Sequence, residues 1–454
     1  MPSKAVRRKS PPTSSRSIEA RDELFWKEQE ARLTQQIGQP CCSLSGMASL
    51  LVAMPGDFAV VLHGEADCAN AFLHTQGMSA AQFYVTRVGQ AEFTTGRTAP
   101  ALRRCLELIV KEKAPEAVFI LGNCLMEMIH DDFERVAREV QQATGTPILA
   151  LRTSGLKAGS QSEMIDWLYS TLASLAKPRS RPAGAASRRV NFIGLPDINH
   201  ENSRRELERI LGAAGIEING SYPFATSLAD WRTIGDADAN FVVDRSLYPR
   251  LLARLESLGI PSVEIPLPVG LGPTMRFLEA VGRQFEAQDA LAKATRRQVQ
   301  AVRARLAAFQ KRYGRLRAAV GLRMVNNYRA DQLAYDGLGD LSLFVEAGFQ
   351  PTLFIQGPPE EKARRHFRAR LDSLGCHLPF HVFPDPFDLP PLLKAGRFDV
   401  AYLADHARGE ARKAGIPLIR SRSLEPFFDG ALRNVDYLDQ VLGELRRPGG
   451  ATPP

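Results

Sequence analysis

Three cysteines occupy positions from which they could bind one metal-containing group. Cys68 follows the apolar run FAVVL (58–62) after the loop HGEADC, and Cys124 follows the apolar run AVFIL (117–121) almost directly, in GNC. Short apolar runs that end in turns are typical of buried strands. Loops at the carboxyl ends of parallel strands converge on one edge of the sheet. The two thiols are therefore predicted to lie within reach of one ligand.

Cys42 is the third candidate and stands in CSLSGMASLL, before an apolar helix whose first amides could stabilise a thiolate. In its Cys-x-x-x-Gly spacing, Gly46 lets the backbone pass close to whatever the sulfur holds.

Zinc ribbons need Cys-x-x-Cys pairs, whereas these thiols are widely separated. Soft thiolates from separate loops suit an iron–sulfur cluster better. The alternative is that each cysteine is a small buried apolar side chain. Cys41 adjoins Cys42, and since chain neighbours point in different directions, only one of the two is expected to be a ligand.

The remaining two cysteines have simpler interpretations. Cys105, in ALRRCLELIV, lies on a predicted helix one turn from Leu102 and Ile109, which indicates core burial. Cys376, in GCHLPFHVF, is close to two histidines and so resembles a metal site. That run fits equally well a loop that enters a strand, and this is the interpretation we prefer.

Composition places the chain among multidomain cytoplasmic proteins. Its 454 residues exceed what one hydrophobic core usually organises, and its 44% apolar and 24% charged residues are ordinary for globular proteins. No apolar run is long enough to span a membrane, and no secretory signal is visible. The net charge of +8 is spread over the first 16 residues, 177–189 and 296–317. Such spreading indicates a solvated tail, linker and helix face rather than a nucleic-acid interface.

Strands and helices alternate along the chain in three series, which predicts an α/β fold of three Rossmann-like domains with parallel sheets. The predicted strands lie at 58–62, 117–121, 147–151, 190–195, 240–244, 262–267, 318–322, 351–356 and 398–403. The predicted units are a basic disordered tail with an entry helix (1–36), a cluster-binding domain with its linker (37–187), a second domain with a long helix over about 286–313 (188–313), and a third domain with the C-terminal tail (314–454).

The sequence lacks a loop for binding nucleotide phosphates. No Gly-x-x-x-x-Gly-Lys-Ser/Thr motif occurs, and GLGP at 270–273 lacks the strand-to-helix context of dinucleotide sites. If the reaction consumes nucleotide, another polypeptide must bind it.

Over about residues 36–430 the chain resembles the catalytic-component subunits of the nitrogenase superfamily. The motifs that carry the resemblance are C-x-x-x-G at 42–46, HGEADC at 63–68 and GNCLMEMIHDDF at 122–133. This superfamily includes dinitrogenase, its cofactor-assembly scaffold and light-independent protochlorophyllide reductase. The resemblance implies a fold of three α/β domains. It also implies that Cys42, Cys68 and Cys124 hold an iron–sulfur cluster, 4Fe-4S or larger, shared with a homologous second subunit.

The resemblance further implies a two-component reductase. A separate ATP-dependent iron–sulfur protein would deliver electrons, and the shared cluster would relay them to a small-molecule substrate. The implied assembly is a heterotetramer built from pairs of homologous subunits. Ser154, in RTSG, is an additional expected contact near the cluster. The sequence indicates no particular catalytic residue.

Within the superfamily, three stretches are similar to the N-type subunit of protochlorophyllide reductase, at 102–109, 145–156 and 265–281. HGEADC stands where those subunits usually carry Gly-Thr-Lys-Thr-Cys. Asp244 lies where the dinitrogenase subunit that holds the iron–molybdenum cofactor supplies a cysteine, and we predict it to be a helix cap. Protochlorophyllide-type reduction is the favoured function. The alternatives are a methylthio-alkane reductase subunit, a nitrogenase-type subunit, a non-catalytic scaffold for metal-cofactor assembly, or a sugar- or nucleotide-binding protein with buried cysteines.

Overall fold

The structure is a computed structural model, and it describes residues 44, 47–48, 50–51, 54–69, 82–153, 161–177, 188–195, 201–223, 226–323, 341–356, 368, 371–372, 377–383, 388–403, 408–420 and 424–445. The predicted tail and entry helix, the linker after residue 177, Cys41, Cys42, Ser154 and Cys376 lie outside these residues.

Three sheets, each with all its neighbouring strands parallel, form the framework. Their strand orders are β2-β1-β3-β4, β6-β5-β7-β8 and β11-β10-β9-β12-β13. The strands are β1 (Phe58–His63), β2 (Phe83–Val85), β3 (Ala117–Gly122), β4 (Ile148–Arg152), β5 (Arg188–Ile193), β6 (Ile216–Tyr222), β7 (Ala239–Val243), β8 (Ser262–Ile265), β9 (Arg317–Arg323), β10 (Gln350–Gln356), β11 (Phe380–Phe383), β12 (Val400–Leu403) and β13 (Leu418–Arg420).

Helices connect these strands, as parallel pairing requires. The described α-helices are α1 (Gln90–Thr95), α2 (Ala99–Lys113), α3 (Cys124–Met128), α4 (Phe133–Thr144), α5 (Gln161–Ala173), α6 (Glu201–Gly212), α7 (Leu228–Thr233), α8 (Pro249–Ser257), α9 (Leu271–Phe285), α10 (Gln288–Tyr313), α11 (Leu341–Glu346), α12 (Leu389–Gly396), α13 (Arg408–Lys413) and α14 (Phe427–Leu445). None of them is long and apolar enough to cross a membrane.

The first sheet is buried on both faces because its central strands are apolar up to their last residues, His63 and Gly122. In β1, Phe58, Val60 and Leu62 pack into one hydrophobic cluster, whereas Ala59 and Val61 pack into another on the opposite face. Alternate residues of a strand point to opposite faces, so a continuous apolar run fits only a sheet that is covered on both sides. This burial fixes the position of the loops that follow β1 and β3.

Carboxylates that bind the N-termini of other helices join the sheets to one another. Asp166 on α5 accepts hydrogen bonds from the backbone N–H groups of Arg250 (2.8 Å) and Leu251 (3.0 Å) at the start of α8. Glu346 at the end of α11 accepts hydrogen bonds from the first amides of α9, Leu271 and Gly272, both at 2.6 Å. These bonds satisfy amide groups that a helix leaves without intrahelical partners.

The fold prediction is confirmed. Every predicted strand is present with its ends within two residues of the expected positions, and the long helix is α10. The strands that the apolar pattern missed, β2, β6 and β13, all lie at sheet edges. Edge strands are covered on fewer sides, so their apolar pattern is weaker. The loop after Cys376 does lead into a strand, β11. The exact domain boundaries stay a prediction.

Candidate functional site

The two described candidate cysteines follow neighbouring strands. β1 and β3 pair in register with His63 opposite Gly122, so both strands end at the same edge of the first sheet. The backbone N–H of Asn123 then donates to the carbonyl oxygen of His63 at 3.2 Å. The segments that carry Cys68 and Cys124 therefore leave the sheet side by side, and both cysteines lie in helical stretches that follow the strands.

Asn123 connects the two cysteine segments. Its side-chain oxygen accepts a hydrogen bond from the backbone N–H of Met126 at 3.2 Å and so caps α3, which begins at Cys124. Its side-chain nitrogen donates to the Sγ atom of Cys68 at 3.6 Å. One amide thus fixes the start of the helix that carries one thiol and contacts the sulfur of the other.

Because Gly64 has no side chain, it leaves room for the side chain of Asn123 between the two cysteine segments. Gly64 has φ +153°, and a Cβ atom on it would lie 2.3 Å from Nδ2 of Asn123. No side chain fits there, because real Cβ atoms do not approach so closely. The glycine of HGEADC is therefore required by the contact between the two loops.

The two thiols differ in exposure. Cys68 is half-buried and packs against the hydrophobic cluster that also contains Leu44, whereas Cys124 is exposed. Met128, at the other end of α3, has 62% of its surface exposed, which is unusual for so large an apolar side chain. The edge of the sheet therefore presents an exposed thiol beside an exposed apolar group.

A buried polar network lies beneath these loops. The ring of His63 is fully buried, with Nδ1 3.1 Å from Thr86 Oγ1 and Nε2 3.4 Å from Asp131 Oδ2. The hydroxyl group of Thr98 donates to the same carboxylate oxygen. Burial acts to raise the pKa of Asp131, but hydrogen bonds from His63 and Thr98, with positive charge from His63 and Arg152, lower it on balance. Asp131 is therefore a stably ionised group.

Arg152, at the end of β4, holds the segment after Cys124 in place. Its guanidinium lies 3.1 Å from Glu127 Oε2, 3.1 Å from the carbonyl oxygen of Asp131, and at 2.5 and 2.6 Å from Glu134. It also lies over the ring of Phe133, 5.0 Å from the centroid. A guanidinium group with this many partners restrains the loop in one geometry.

The other sequence-predicted ligands lie just outside the described residues. Leu44, two residues after Cys42, is buried in the cluster against which Cys68 packs. Thr153, which precedes Ser154, donates from its hydroxyl to the carbonyl oxygen of Gly122 at 2.7 Å. The roles of Cys42 and Ser154 stay predictions. Within the described part of the chain, no three His, Cys, Asp or Glu side chains are grouped as a metal site.

The remaining candidates have structural surroundings. Cys105 is half-buried at the margin of a core cluster rather than fully inside it, and burial raises the pKa of its thiol. His377 is 3.3 Å from Asp372, and His381 stacks on Phe354. Asp244 has φ +61° and accepts through its carbonyl oxygen from the N–H of Leu247, at the end of the 3-10 helix that follows it.

Sequence reasoning missed Asn123, His63 and Asp131 as parts of the site. Asn123 carried a usable signal, since asparagine immediately before a helix is a preferred cap. The partnership of His63 with Asp131 joins residues far apart in the chain and had no local signal.

Comparison with known proteins places this geometry in a family. The sequence profile of the nitrogenase component 1 type oxidoreductases matches residues 42–423. The chain belongs to this family. The solved structure of nitrogenase Cp1 at pH 5 has a TM-score of 0.65 and 14% identity, with 90% of each chain covered. The predicted fold is thereby confirmed.

Two curated relatives illustrate the range of the family. The B-type subunit of light-independent protochlorophyllide reductase from Methylobacterium sp. (strain 4-46) is 28% identical over 200 residues, 42% of this chain and 38% of that protein. The nitrogenase iron-molybdenum cofactor biosynthesis protein NifE of Klebsiella pneumoniae is 26% identical over 236 residues, 49% of this chain and 51% of that protein. The chain thus spans about two fifths to one half of the lengths of these relatives. The N-type assignment has no support among these two, since the reductase relative is of the B type.

Proposed function

We propose that this chain is one subunit of the catalytic component of a two-component nitrogenase-like reductase. In this proposal Cys42, Cys68 and Cys124 hold an iron–sulfur cluster, 4Fe-4S or larger, that is shared with a homologous partner subunit. The observation that carries the proposal is the double role of Asn123, which caps the helix of Cys124 and donates to the sulfur of Cys68. Two soft ligands held side by side at a sheet edge fit an iron–sulfur group.

The exposed face of the site supports a shared cluster. Cys124 and Met128 are exposed on α3, so a cluster bound by this chain alone would be open to water. A homologous subunit that packs on this face would bury both groups and supply the missing ligands. The proposed assembly is a heterotetramer in the cytoplasm, formed from two such pairs.

The residues of this chain have distinct proposed tasks. When bound, the cluster supplies one-electron transfer. Asn123 restrains Cys68, and its N–H donation stabilises negative charge on the sulfur. The network of His63, Asp131 and Arg152 keeps the loops rigid and fills the space beneath them, which excludes water from that side. Ser154 is proposed as an additional contact near the cluster.

Electrons are proposed to come from a separate ATP-dependent iron–sulfur protein, because the sequence contains no phosphate-binding loop. The purified component should neither bind nor hydrolyse ATP, and equilibrium dialysis with labelled ATP measures this directly. Tight binding of ATP by this chain would contradict the two-component proposal.

The favoured substrate class is a protochlorophyllide-type pigment, supported by the relatives of that reductase. A second candidate is a non-catalytic scaffold for metal-cofactor assembly, supported by the similarity to NifE. Anaerobic assays of the complex with a reductase protein, ATP and protochlorophyllide separate the two. Substrate turnover supports the enzyme, whereas a bound metal cofactor that transfers to another protein without turnover supports the scaffold.

The sharing of the cluster is tested by anaerobic purification of the chain, alone and co-expressed with its homologous partner. We expect little iron on the lone chain and about four iron atoms per heterodimer. A full and stable cluster on the lone chain would contradict the interface and require a fourth ligand within this polypeptide.

A further inference from the structure

A groove runs between α9 and α10, whose buried side chains belong to a different hydrophobic cluster from the one against which Cys68 packs. It has a volume of about 630 Å³, and Phe428, at the start of α14, closes it on one side. Ligand pockets in proteins typically have volumes of about 300–1,000 Å³ and mostly apolar walls with a few polar groups. The groove therefore has the size and form of a small-molecule site.

The shape of the groove favours an elongated ligand. The lining residues of α10 extend from Gln288 to Arg303 and recur every three or four positions, so they form one face of the helix. At 1.5 Å per residue this face is about 22 Å long. The connection between α9 and α10 is only two residues long, which makes the helices a hairpin whose two faces line the groove along its length.

The floor of the groove is apolar and partly uncovered. Leu278 and Leu291 are buried beneath it, and Val299 is half-buried. Met275 lines the groove with 40% of its surface exposed. Large exposed apolar side chains are rare in the described part of the chain, the others being Leu108, Met128 and Val345. An apolar ligand would cover the exposed part of this surface.

Three arginines line the groove; the positive charge of Arg276 on α9 acts on the nearby carboxylate of Glu346, whereas the two on α10 have no ion-pair partner among the described residues. α10 carries many basic residues and a single acidic one, Asp289. Arg305 and Arg312 pair with carboxylates of α14. By contrast, Arg296 and Arg303 line the groove, and no carboxylate among the described residues forms an ion pair with either. They are available for an anion.

The acidic residue that lines the groove, Glu279, and the nearby Glu346 already have partners. Glu279 lines it but lies 2.7 Å from Arg283 on the same helix. Glu346 accepts hydrogen bonds from the first amides of α9. Neither carboxylate therefore competes for Arg296 or Arg303. A ligand that fits the groove should therefore carry a negative charge and have an apolar body that covers the floor.

We propose that this groove binds an elongated apolar carboxylate, with its apolar body along Leu291 and Val299 and its carboxylate paired with Arg296 or Arg303. The carboxylate–guanidinium pair supplies specificity, because such charge-assisted bonds are stronger than neutral ones. The site uses none of the residues proposed to hold the cluster, so it can be tested without reference to iron or to turnover.

Isothermal titration calorimetry of the full chain in its assembled complex tests the proposal with decanoate and, as the matched uncharged probe, decanol. We expect decanoate to bind at least tenfold more tightly than decanol. Replacement of both Arg296 and Arg303 by Gln should weaken decanoate about tenfold and leave decanol unchanged. Ala292→Trp, which fills the groove from an exposed lining position, should abolish both.

The matched control is Arg297→Gln, since Arg297 is the next residue of the same helix, is exposed, and does not line the groove. It should leave decanoate binding unchanged. The proposal is overturned if decanol binds as tightly as decanoate, if Arg297→Gln weakens decanoate as much as the groove variants do, or if Ala292→Trp has no effect. It is also overturned if decanoate binds the lone chain but not the complex, which would show that the groove is a protein interface.

Discussion

Two regions of this molecule bury carboxylates, and they do so in opposite ways. Beneath the cysteine loops, Asp131 is surrounded by His63, Thr98 and Arg152, and their combined effect lowers its pKa in spite of burial. At the junction of the second and third sheets, Glu206 accepts bonds from the backbone amides of Phe428 and Asp429. Burial, with the negative charge of Asp429, raises the pKa of Glu206 to about 7.

The difference lies in what compensates the charge. Hydrogen bonds from His63 and Thr98, with nearby positive charge, favour the ionised form of Asp131, so this carboxylate stays charged at physiological pH. Backbone amides compensate Glu206 only in part, so its protonation changes near neutrality. The first arrangement suits the rigid support that our proposal requires for a redox group. The sheet junction, which holds helices together, contains the second.

The largest effect on stability is expected from Gly64→Ala, which tests whether the cysteine loops are as rigid as their contacts indicate. The new Cβ atom would collide with Asn123, so we expect a loss of about 3 kcal/mol in the free energy of unfolding. Urea denaturation measures the change. Gly96→Ala is the matched control, because Gly96 also has a positive φ but has nothing within 4 Å of its would-be Cβ. It should lose only about 1 kcal/mol. Equal losses would show that the contact with Asn123 is not restrictive.

The second prediction concerns the pH dependence of stability at the sheet junction. Below pH 4.5, Glu206 is protonated in both the folded and the unfolded states. Between pH 4.5 and about 7, the folded state keeps the proton whereas the unfolded state releases it. The free energy of unfolding therefore falls as pH rises through this window, by about 3 kcal/mol in all. Glu206→Gln should remove this part of the pH dependence. Denaturation curves at pH 5 and pH 8 measure it.

Glu208→Gln is the control for that experiment, since Glu208 lies on the same helix, is exposed and pairs with Arg204. It should leave the pH dependence as in the wild type. If Glu206→Gln also leaves it unchanged, the contrast between the two buried carboxylates is wrong.

A smaller effect is expected from Asn123, where two variants separate its two roles. Asn123→Ala removes the helix cap and should cost about 1 kcal/mol. Asn123→Ser keeps a capping oxygen but cannot reach Cys68, so stability should change by less than about 0.5 kcal/mol.

Both variants remove the N–H donor to the sulfur. In the iron-loaded complex both should therefore lower the reduction potential, which redox titration followed by electron paramagnetic resonance measures. An unchanged potential in both would show that Asn123 has only the capping role.

The smallest effect is expected on the outer surface of the same domain. Arg135 pairs with Asp132 and Glu139; Arg135 and Asp132 are exposed, and Glu139 is half-buried. Arg135→Gln should change the free energy of unfolding by less than about 0.5 kcal/mol. A loss comparable to that of Gly64→Ala would mean that the rigidity of this domain is not concentrated at the cysteine loops.

The sequence was sufficient for the framework because parallel strands buried on both faces are continuous apolar runs, as in FAVVL and AVFIL. It also placed Cys68 and Cys124 at one sheet edge, since strand ends are a local feature. The polar network could not be predicted in this way. His63 and Asp131 meet only because β1 and β3 are neighbours in the sheet, and no spacing in the chain encodes that contact. The edge strands were missed for the related reason that partial exposure weakens their apolar pattern.

The central claim is that Cys42, Cys68 and Cys124 hold one cluster together with a partner subunit. The most direct test is the iron content of the anaerobically purified complex, measured for each cysteine replaced singly by alanine. We predict that Cys42→Ala, Cys68→Ala and Cys124→Ala each lose most of the iron, whereas Cys41→Ala and Cys105→Ala retain it. Circular dichroism confirms that each variant is folded. Full iron in folded Cys68→Ala or Cys124→Ala complexes, or equal losses from Cys41→Ala and Cys42→Ala, would contradict the assignment.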